Sequence, residues 1–237
     1  MRTDDTPVTV RHSPVEGVLL TDAEIDHTFG IVLLREARNL SLYATHAVQS
    51  ILDRDSCLLR VTRAFSDVSV SALALNTPVP LCYRDRSPSG LTVEAFAVPA
   101  GPPRFATGEE AGHTVGFMLR EEASRTCCAF VPGCGALDDA LITRLGGADA
   151  LLFDGTFWSD DELIALGIGQ RTARALDHLP ISGEGGSLEQ LAALPCRHRV
   201  YTHINNTNPI LLEHSPERAI VTRTGITIGV DGLHLTL

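Results

Sequence analysis

Leu20-Thr21-Asp22-Ala23-Glu24-Ile25-Asp26-His27-Thr28-Phe29-Gly30 is the stretch on which the reading of this chain turns. It crowds three carboxylates and an imidazole into residues 22–27, directly behind an apolar run. Val15 to Leu20 reads as a short buried strand, and Phe29, Val32 and Leu33 recur at helical spacing, which predicts a helix over 28–37. The acids are therefore expected where strand gives way to helix, and open α/β sheets bind their ligands at such strand ends. Carboxylates gathered on a partly dry loop repel one another, and a bound cation offsets that repulsion. The alternative is a solvated acidic turn with an aspartate at a helix N-terminus, where the helix dipole favours it.

Spacing adds to this. Asp22-x-Glu24-x-Asp26-His27 has the layout of the metallo-β-lactamase signature H-x-H-x-D-H, with acids in place of the first two histidines. Further motifs follow in register: Arg11-His12-Ser13-Pro14, the run 31–36, Pro132-Gly133-Cys134, Phe153-Asp154-Gly155-Thr156-Phe157-Trp158, His178 to Gly183, His203-Ile204-Asn205-Asn206-Thr207-Asn208-Pro209 and the turn Asp231-Gly232. On these residues the chain resembles the pyrroloquinoline quinone biosynthesis protein B (PqqB) family of the metallo-β-lactamase superfamily. The resemblance implies an α/β fold, a metallo-β-lactamase-like αββα sandwich that is N-terminally shortened. Family members carry a glycine-rich first strand and a cysteine-rich zinc knuckle ahead of the matched part. The expected organisation is a flexible arm over residues 1–10 and a single metallo-β-lactamase-like domain over residues 11–237.

Composition narrows the classes. The 237 residues, 44% of them hydrophobic, suffice for one sizeable core. A net charge of -10, with all 19 basic residues arginine, argues against a nucleic-acid partner, which needs a concentrated basic face. With no lysine, Schiff-base chemistry is excluded. The start of the chain is polar and acidic, and no apolar run approaches the roughly 18 residues of a membrane span. A soluble cytoplasmic protein without a membrane partner is expected. The six cysteines, at 57, 82, 127, 128, 134 and 196, form no C-x-x-C pair and read as small buried hydrophobes. Cys134, in the turn Pro132-Gly133-Cys134-Gly135, is held open as a neighbour of the site.

Along the chain, Leu40 to Ala44 alternates as a strand, and Thr45 is placed to cap a helix running to about Asp53. His46 falls at its first position, either a surface histidine or a support for the site. Residues 55–90 give no clear pattern. A hairpin is expected from strands near 91–99 and 113–120, joined by the Pro/Gly-rich segment Ala100 to Gly112, an active-site flap or an ordinary loop. His113 reads as a strand-end histidine. Cys127 to Val131, a helix over 137–145 and Ala150 to Phe153 make a β-α-β unit. Ser159 to Glu162 and Ser187 to Gln190 read as capping boxes. Strands are expected at 219–224, 226–230 and 233–237.

The site is assembled from these strand ends. Asp154 precedes a glycine as many turn formers do, and by the resemblance it matches the superfamily's metal-bridging aspartate. Asp177-His178 stands where the family has Gly-His. His203 lies where a strand enters an asparagine-rich loop. Asp26, His27 and His203 together give two imidazoles and one carboxylate, the facial set that leaves positions on iron(II) open to oxygen and substrate. Replacing the first two signature histidines by Asp22 and Glu24 weakens a two-zinc hydrolytic centre. Asp22, Glu24 and Asp154 remain candidate further ligands, and His178 and Asp154 candidate catalytic groups, His178 for acid/base work.

The resemblance implies an Fe(II)-dependent oxygenase, with Zn(II) as the alternative metal. It would use dioxygen to hydroxylate a tyrosine-derived small molecule or short peptide on the way to the quinone cofactor, with a homodimer as one assembly. A zinc metallohydrolase and a non-catalytic carrier of the quinone or its precursor stand beside it.

Overall fold

The computed structural model describes residues 13–34, 39–108 and 111–237. The arm expected over residues 1–10, His12 and the end of the helix expected to residue 37 lie outside the described residues.

The chain opens with β1 (Val18–Leu19), α1 (Ile25–Thr28), α2 (Gly30–Leu33), β2 (Leu40–Thr45), α3 (His46–Ser50), α4 (Leu58–Arg63) and β3 (Val68–Leu73). The strands β1, β2 and β3 pair in that order, all parallel. The chain continues through β4 (Pro78–Cys82), β5 (Pro88–Ala97), β6 (Val115–Glu121), β7 (Cys127–Val131), α5 (Asp139–Gly146), β8 (Ala150–Asp154), α6 (Glu162–Ala165), α7 (Ser187–Ala192), β9 (His198–Thr202), α8 (Pro216–Arg223) and β10 (Thr227–Ile228), whose strands form a second sheet. Its order is β10-β9-β8-β7-β6-β5-β4, parallel from β7 to β10 and antiparallel from β4 to β7.

Side-chain alternation makes these sheets the two inner layers of an αββα sandwich. Leu40, Leu42 and Ala44 of β2 pack with Val48, Leu58 and Leu59 on the helical side, while Tyr43, between them in sequence, packs towards the middle with Leu73, Val93 and Phe117. On the second sheet, Cys127, Ala129 and Val131 face α5 and α8 through Leu141, Leu145 and Val221, and Phe130 turns back to the middle.

Caps follow side-chain chemistry. Thr45 Oγ1 accepts from Val48 N at 3.2 Å, Asp138 Oδ1 from Leu141 N at 2.7 Å and Ser215 Oγ from Arg218 N at 3.0 Å. The last of these corrects a reading: residues 216–223 form α8 rather than a strand, because Ser215-Pro216 starts a helix more strongly than Ile220-Val221-Thr222 resists one. Residues 233–237 are likewise not a strand, and the strand expected at 226–230 is limited to Thr227–Ile228. The helix expected to Asp53 becomes a π-helical turn after Ser50. Neither expected capping box closes: Asp161 and Gly186 hold the N-cap positions without side-chain bonds. No helix among the described residues is long and apolar enough to cross a membrane.

The architecture brings the C-terminal ends of β1, β7, β8 and β9 to one edge. Val115 N donates to Thr21 O at 2.8 Å, which ties the acidic segment of the first sheet to the start of β6 in the second. Gly155 lets β8 and β9 close on each other: its N–H donates to Thr202 O at 2.8 Å, and a Cβ there would sit 2.9 Å from Tyr201 Cβ and 3.1 Å from Thr202 O. Gly155→Ala should cost about 1–3 kcal/mol of stability through overpacking. Urea unfolding measures it, and an unchanged midpoint would contradict this account of the strand-end packing.

Candidate metal centre

α1 begins at Ile25, earlier than its apolar spacing suggests, so Asp26 and His27 sit on the helix and not on the loop before it. Asp22, buried, stays on the loop behind them. Its two oxygens lie 2.7 and 2.8 Å from His27 Nδ1, and it also accepts from Glu24 N at 3.0 Å and Thr21 Oγ1 at 2.9 Å. Burial alone would raise the Asp22 pKa, but the hydrogen bond and charge of His27 outweigh it and hold the carboxyl below its ordinary value. The same hydrogen bond raises the His27 pKa. A carboxylate can only accept, so Nδ1 of His27 carries a proton, and in the neutral ring it is Nε2 that presents the lone pair.

His203 is reached at the end of β9 with φ 52, a left-handed backbone unusual for a residue with a side chain and often found where function dictates geometry. Thr156 Oγ1 stands 2.7 Å from His203 Nδ1, 2.6 Å from Asp154 Oδ1 and 2.9 Å from the His203 carbonyl oxygen. The fully buried Asp154 claims the single hydroxyl proton, so the hydroxyl oxygen accepts Nδ1–H of His203 and leaves its Nε2 free. His27 Nε2 and His203 Nε2 then face each other at 2.7 Å. Asp26 Oδ2 lies 3.9 Å from His27 Nε2.

His178 completes the group. The residue before it, Asp177, has φ 63, the left-handed region that glycine enters most freely and aspartate tolerates, so the substitution for glycine leaves the turn intact. His178 Nδ1 donates to Asp154 Oδ2 at 2.7 Å, and its ring stacks on that of His203 with centroids 5.5 Å apart. Burial tends to lower the His178 pKa, but the Asp154 hydrogen bond and charge reverse this and leave it raised. Asp154 is itself held below its ordinary value: burial raises it, and the hydrogen bonds from His178 and Thr156, with His203 Nδ1 3.9 Å away, overcome that.

Among the described residues, two sets of side chains bring ligand atoms within 4.8 Å of one another, Asp26 with His27 and His203, and Asp154 with His178 and His203. They differ in what their carboxylates have left to offer. Asp154 accepts from Thr156 N and Oγ1 on one oxygen and from Cys134 N and His178 Nδ1 on the other, four partners for four lone-pair directions. Asp26 is exposed and makes no comparable set of bonds among the described residues.

The remaining expected residues fall into place around this. Asp22, expected as a ligand, grips the far side of the His27 ring. Glu24 lines the same cleft, and burial together with the charges of Asp22 and Asp26 raises its pKa. Cys134 does adjoin the site, but through its backbone N–H to Asp154; burial pushes its thiol up to about 12, and all six cysteines are free thiols. His46 is exposed and lines a separate hollow with Gln49 and Asp53, and buried His113 belongs to neither ligand set.

Three supports went unread in the sequence. Thr21 and Thr156 bond the two orienting aspartates. Buried Glu162 accepts from Trp158 N at 2.7 Å and Thr207 Oγ1 at 2.5 Å, and Thr207 in turn accepts from Asn205 Nδ2 at 2.7 Å, which fastens the asparagine-rich loop. The spacing Asp154-x-Thr156 was the available signal for one of them. The histidines open onto a cleft of about 550 Å³ that is also lined by Arg104, Phe105, Phe157 and Arg171.

Comparison with known proteins places this geometry. Residues 1–204 match the beta-lactamase superfamily domain. The chain is 37% identical over 234 residues to coenzyme PQQ synthesis protein B of Gluconacetobacter diazotrophicus and 42% identical over 238 residues to that of Rhizobium meliloti; the matches cover 96% and 98% of this chain and 75% of each relative. The crystal structure of Zn(2+)-bound PqqB from Methylobacterium extorquens aligns with a TM-score of 0.83 at 36% identity, over 97% of this chain and 76% of that one. With its sandwich, its modified signature and these relatives, the chain belongs to the PqqB family of the beta-lactamase superfamily.

Proposed function

We propose that this chain is a single-metal oxygenase of pyrroloquinoline quinone biosynthesis that hydroxylates the ring of a tyrosine-derived substrate. The observation that carries the reading is the approach of the two Nε2 atoms to 2.7 Å. Two ring nitrogens at that separation need a proton or a metal cation between them, and nitrogen ligands at about 2.0–2.1 Å from one ion span such a distance. Asp26 supplies the carboxylate of a two-histidine, one-carboxylate set, a donor chemistry that suits ferrous iron and that zinc also accepts. Asp22 and Thr156 would act as positioning residues, fixing the tautomer and tilt of the two ligand rings.

A ferrous ion held there supplies the redox chemistry by which dioxygen is used. In such a hydroxylation one oxygen atom would enter the ring, and the other would leave as water, taking two electrons from an external reductant and two protons from solvent. The chain's own part is binding and proton handling. His178, with Nδ1–H committed to Asp154, turns a basic Nε2 to the cleft, placed to take the proton of a substrate phenol.

A zinc metallohydrolase is the second reading, favoured by the ligand set around Asp154. It requires Asp154 to release bonds that now hold His178 and Thr156, so the oxygenase reading is preferred. Anaerobically iron-loaded protein given a tyrosine-containing dipeptide, oxygen and a reductant should consume oxygen and yield a product heavier by one oxygen atom. Two tightly bound zinc ions with oxygen-independent ester, lactone or phosphodiester cleavage would support the hydrolase instead.

His203→Ala should abolish iron binding, measured as iron per folded chain; retained stoichiometric iron would contradict the ligand assignment. Asp22→Asn should leave stoichiometry unchanged while weakening metal affinity roughly 10–100-fold. Competition with a chromophoric zinc chelator reads this, and unchanged affinity would remove Asp22 from its orienting role.

A further inference from the structure

Above the histidines the cleft carries two arginines that the metal reading does not use. Arg104 lies in the connector between β5 and β6, and Arg171 lies in the segment after α6; both are exposed side chains on the wall of the cleft that His27, His178 and His203 share. Among the described residues neither makes an ion pair within 4 Å, and Arg104 is felt only as a charge near Glu24. Nearby Arg174 differs, since its guanidinium is tied to the carbonyl oxygens of Glu184 and Gly185.

Apolar faces stand beside them. Phe157 is buried with its ring edge-on to His178 at 5.8 Å, and Phe105 is exposed at the rim. Glu24 and Asp177 also line the cleft, so a ligand carrying only negative charge meets opposition there, whereas an amino-acid zwitterion presents each sign to a partner. A guanidinium pairs with a carboxylate through two parallel N–H bonds, which a free arginine at the mouth of a cleft is suited to make.

We propose that Arg104 and Arg171 select substrates by their carboxylate, holding an aromatic amino acid or its C-terminal peptide equivalent with the ring directed past Phe157 towards the histidines. The inference rests on the oxygenase reading for its choice of an aromatic ligand, and its test is made by binding alone so that the two stand or fall separately.

Zinc-loaded protein, which is redox-silent, is titrated calorimetrically with L-tyrosine, with hydroxyphenylpropionate, which keeps the carboxylate and lacks the amine, and with tyramine, which lacks the carboxylate. Tyrosine should bind at least on the order of tenfold more tightly than tyramine. Arg104→Gln and Arg171→Gln should each weaken tyrosine and hydroxyphenylpropionate on the order of tenfold and leave tyramine unchanged. Both side chains are exposed, so the variants should fold, and Arg104→Lys should recover part of the loss. Equal binding of tyrosine and tyramine, no binding of tyrosine, or variants that keep the wild-type preference would each overturn the proposal. Carboxylate selectivity without oxygen consumption by the iron form would instead sink the oxygenase reading and leave the arginines in place.

Discussion

Two imidazole nitrogens brought to 2.7 Å, on rings that Asp22 and Thr156 hold by their Nδ1 atoms from the opposite side, are the constraint around which the site is built. His27 comes from the first sheet and His203 from the second, so their meeting depends on the two layers being in register. That register is held locally by the Thr21–Val115 backbone bond and by the close approach of β8 to β9 at Gly155. It is held globally by the middle core, where Tyr43 and Leu73 of one sheet pack against Val93 and Phe117 of the other. Rings free to turn about χ2 would lose the arrangement; Asp22 and Thr156 remove that freedom.

The acids at positions 22 and 24 acquire a physical explanation from this. A signature that placed histidines there would offer nitrogen to a second ion. Here position 22 supports the imidazole of His27 from behind, and position 24 contributes an acid to the wall of the cleft. Asp154, the residue through which a second ion would be shared, is instead the buried anchor of both His178 and Thr156. A buried carboxylate with every lone pair engaged stays charged and fixed, and it positions its neighbours for that reason.

Much of this was legible in the sequence because it depended on local pattern. The acidic bend, the β-α-β unit ending at Asp154-Gly155 and the histidine before the asparagine-rich loop all announce strand ends, and the residues that meet in space were picked from them. What was hidden depended on tertiary partners. Asp22 and Asp26 are indistinguishable by type, and only the direction of α1 decides which faces the cleft and which the back of the ring. Glu162 looked like part of a helix cap, yet its carboxylate is taken by Trp158 and Thr207. Residues 216–223 carry β-branched side chains but obey the Ser215-Pro216 start, a case of helix initiation overriding local propensity. The strands β3 and β4 were obscured because one lies at the edge of each sheet, where half-exposed positions blur the alternation.

The proposed cation sits alone between His27, His203 and Asp26. X-ray absorption at the iron edge of anaerobically loaded protein should then show two imidazole ligands and oxygen donors at about 2.0–2.2 Å, with no second metal scatterer. A metal–metal vector, or a first shell without imidazole scattering, would contradict it.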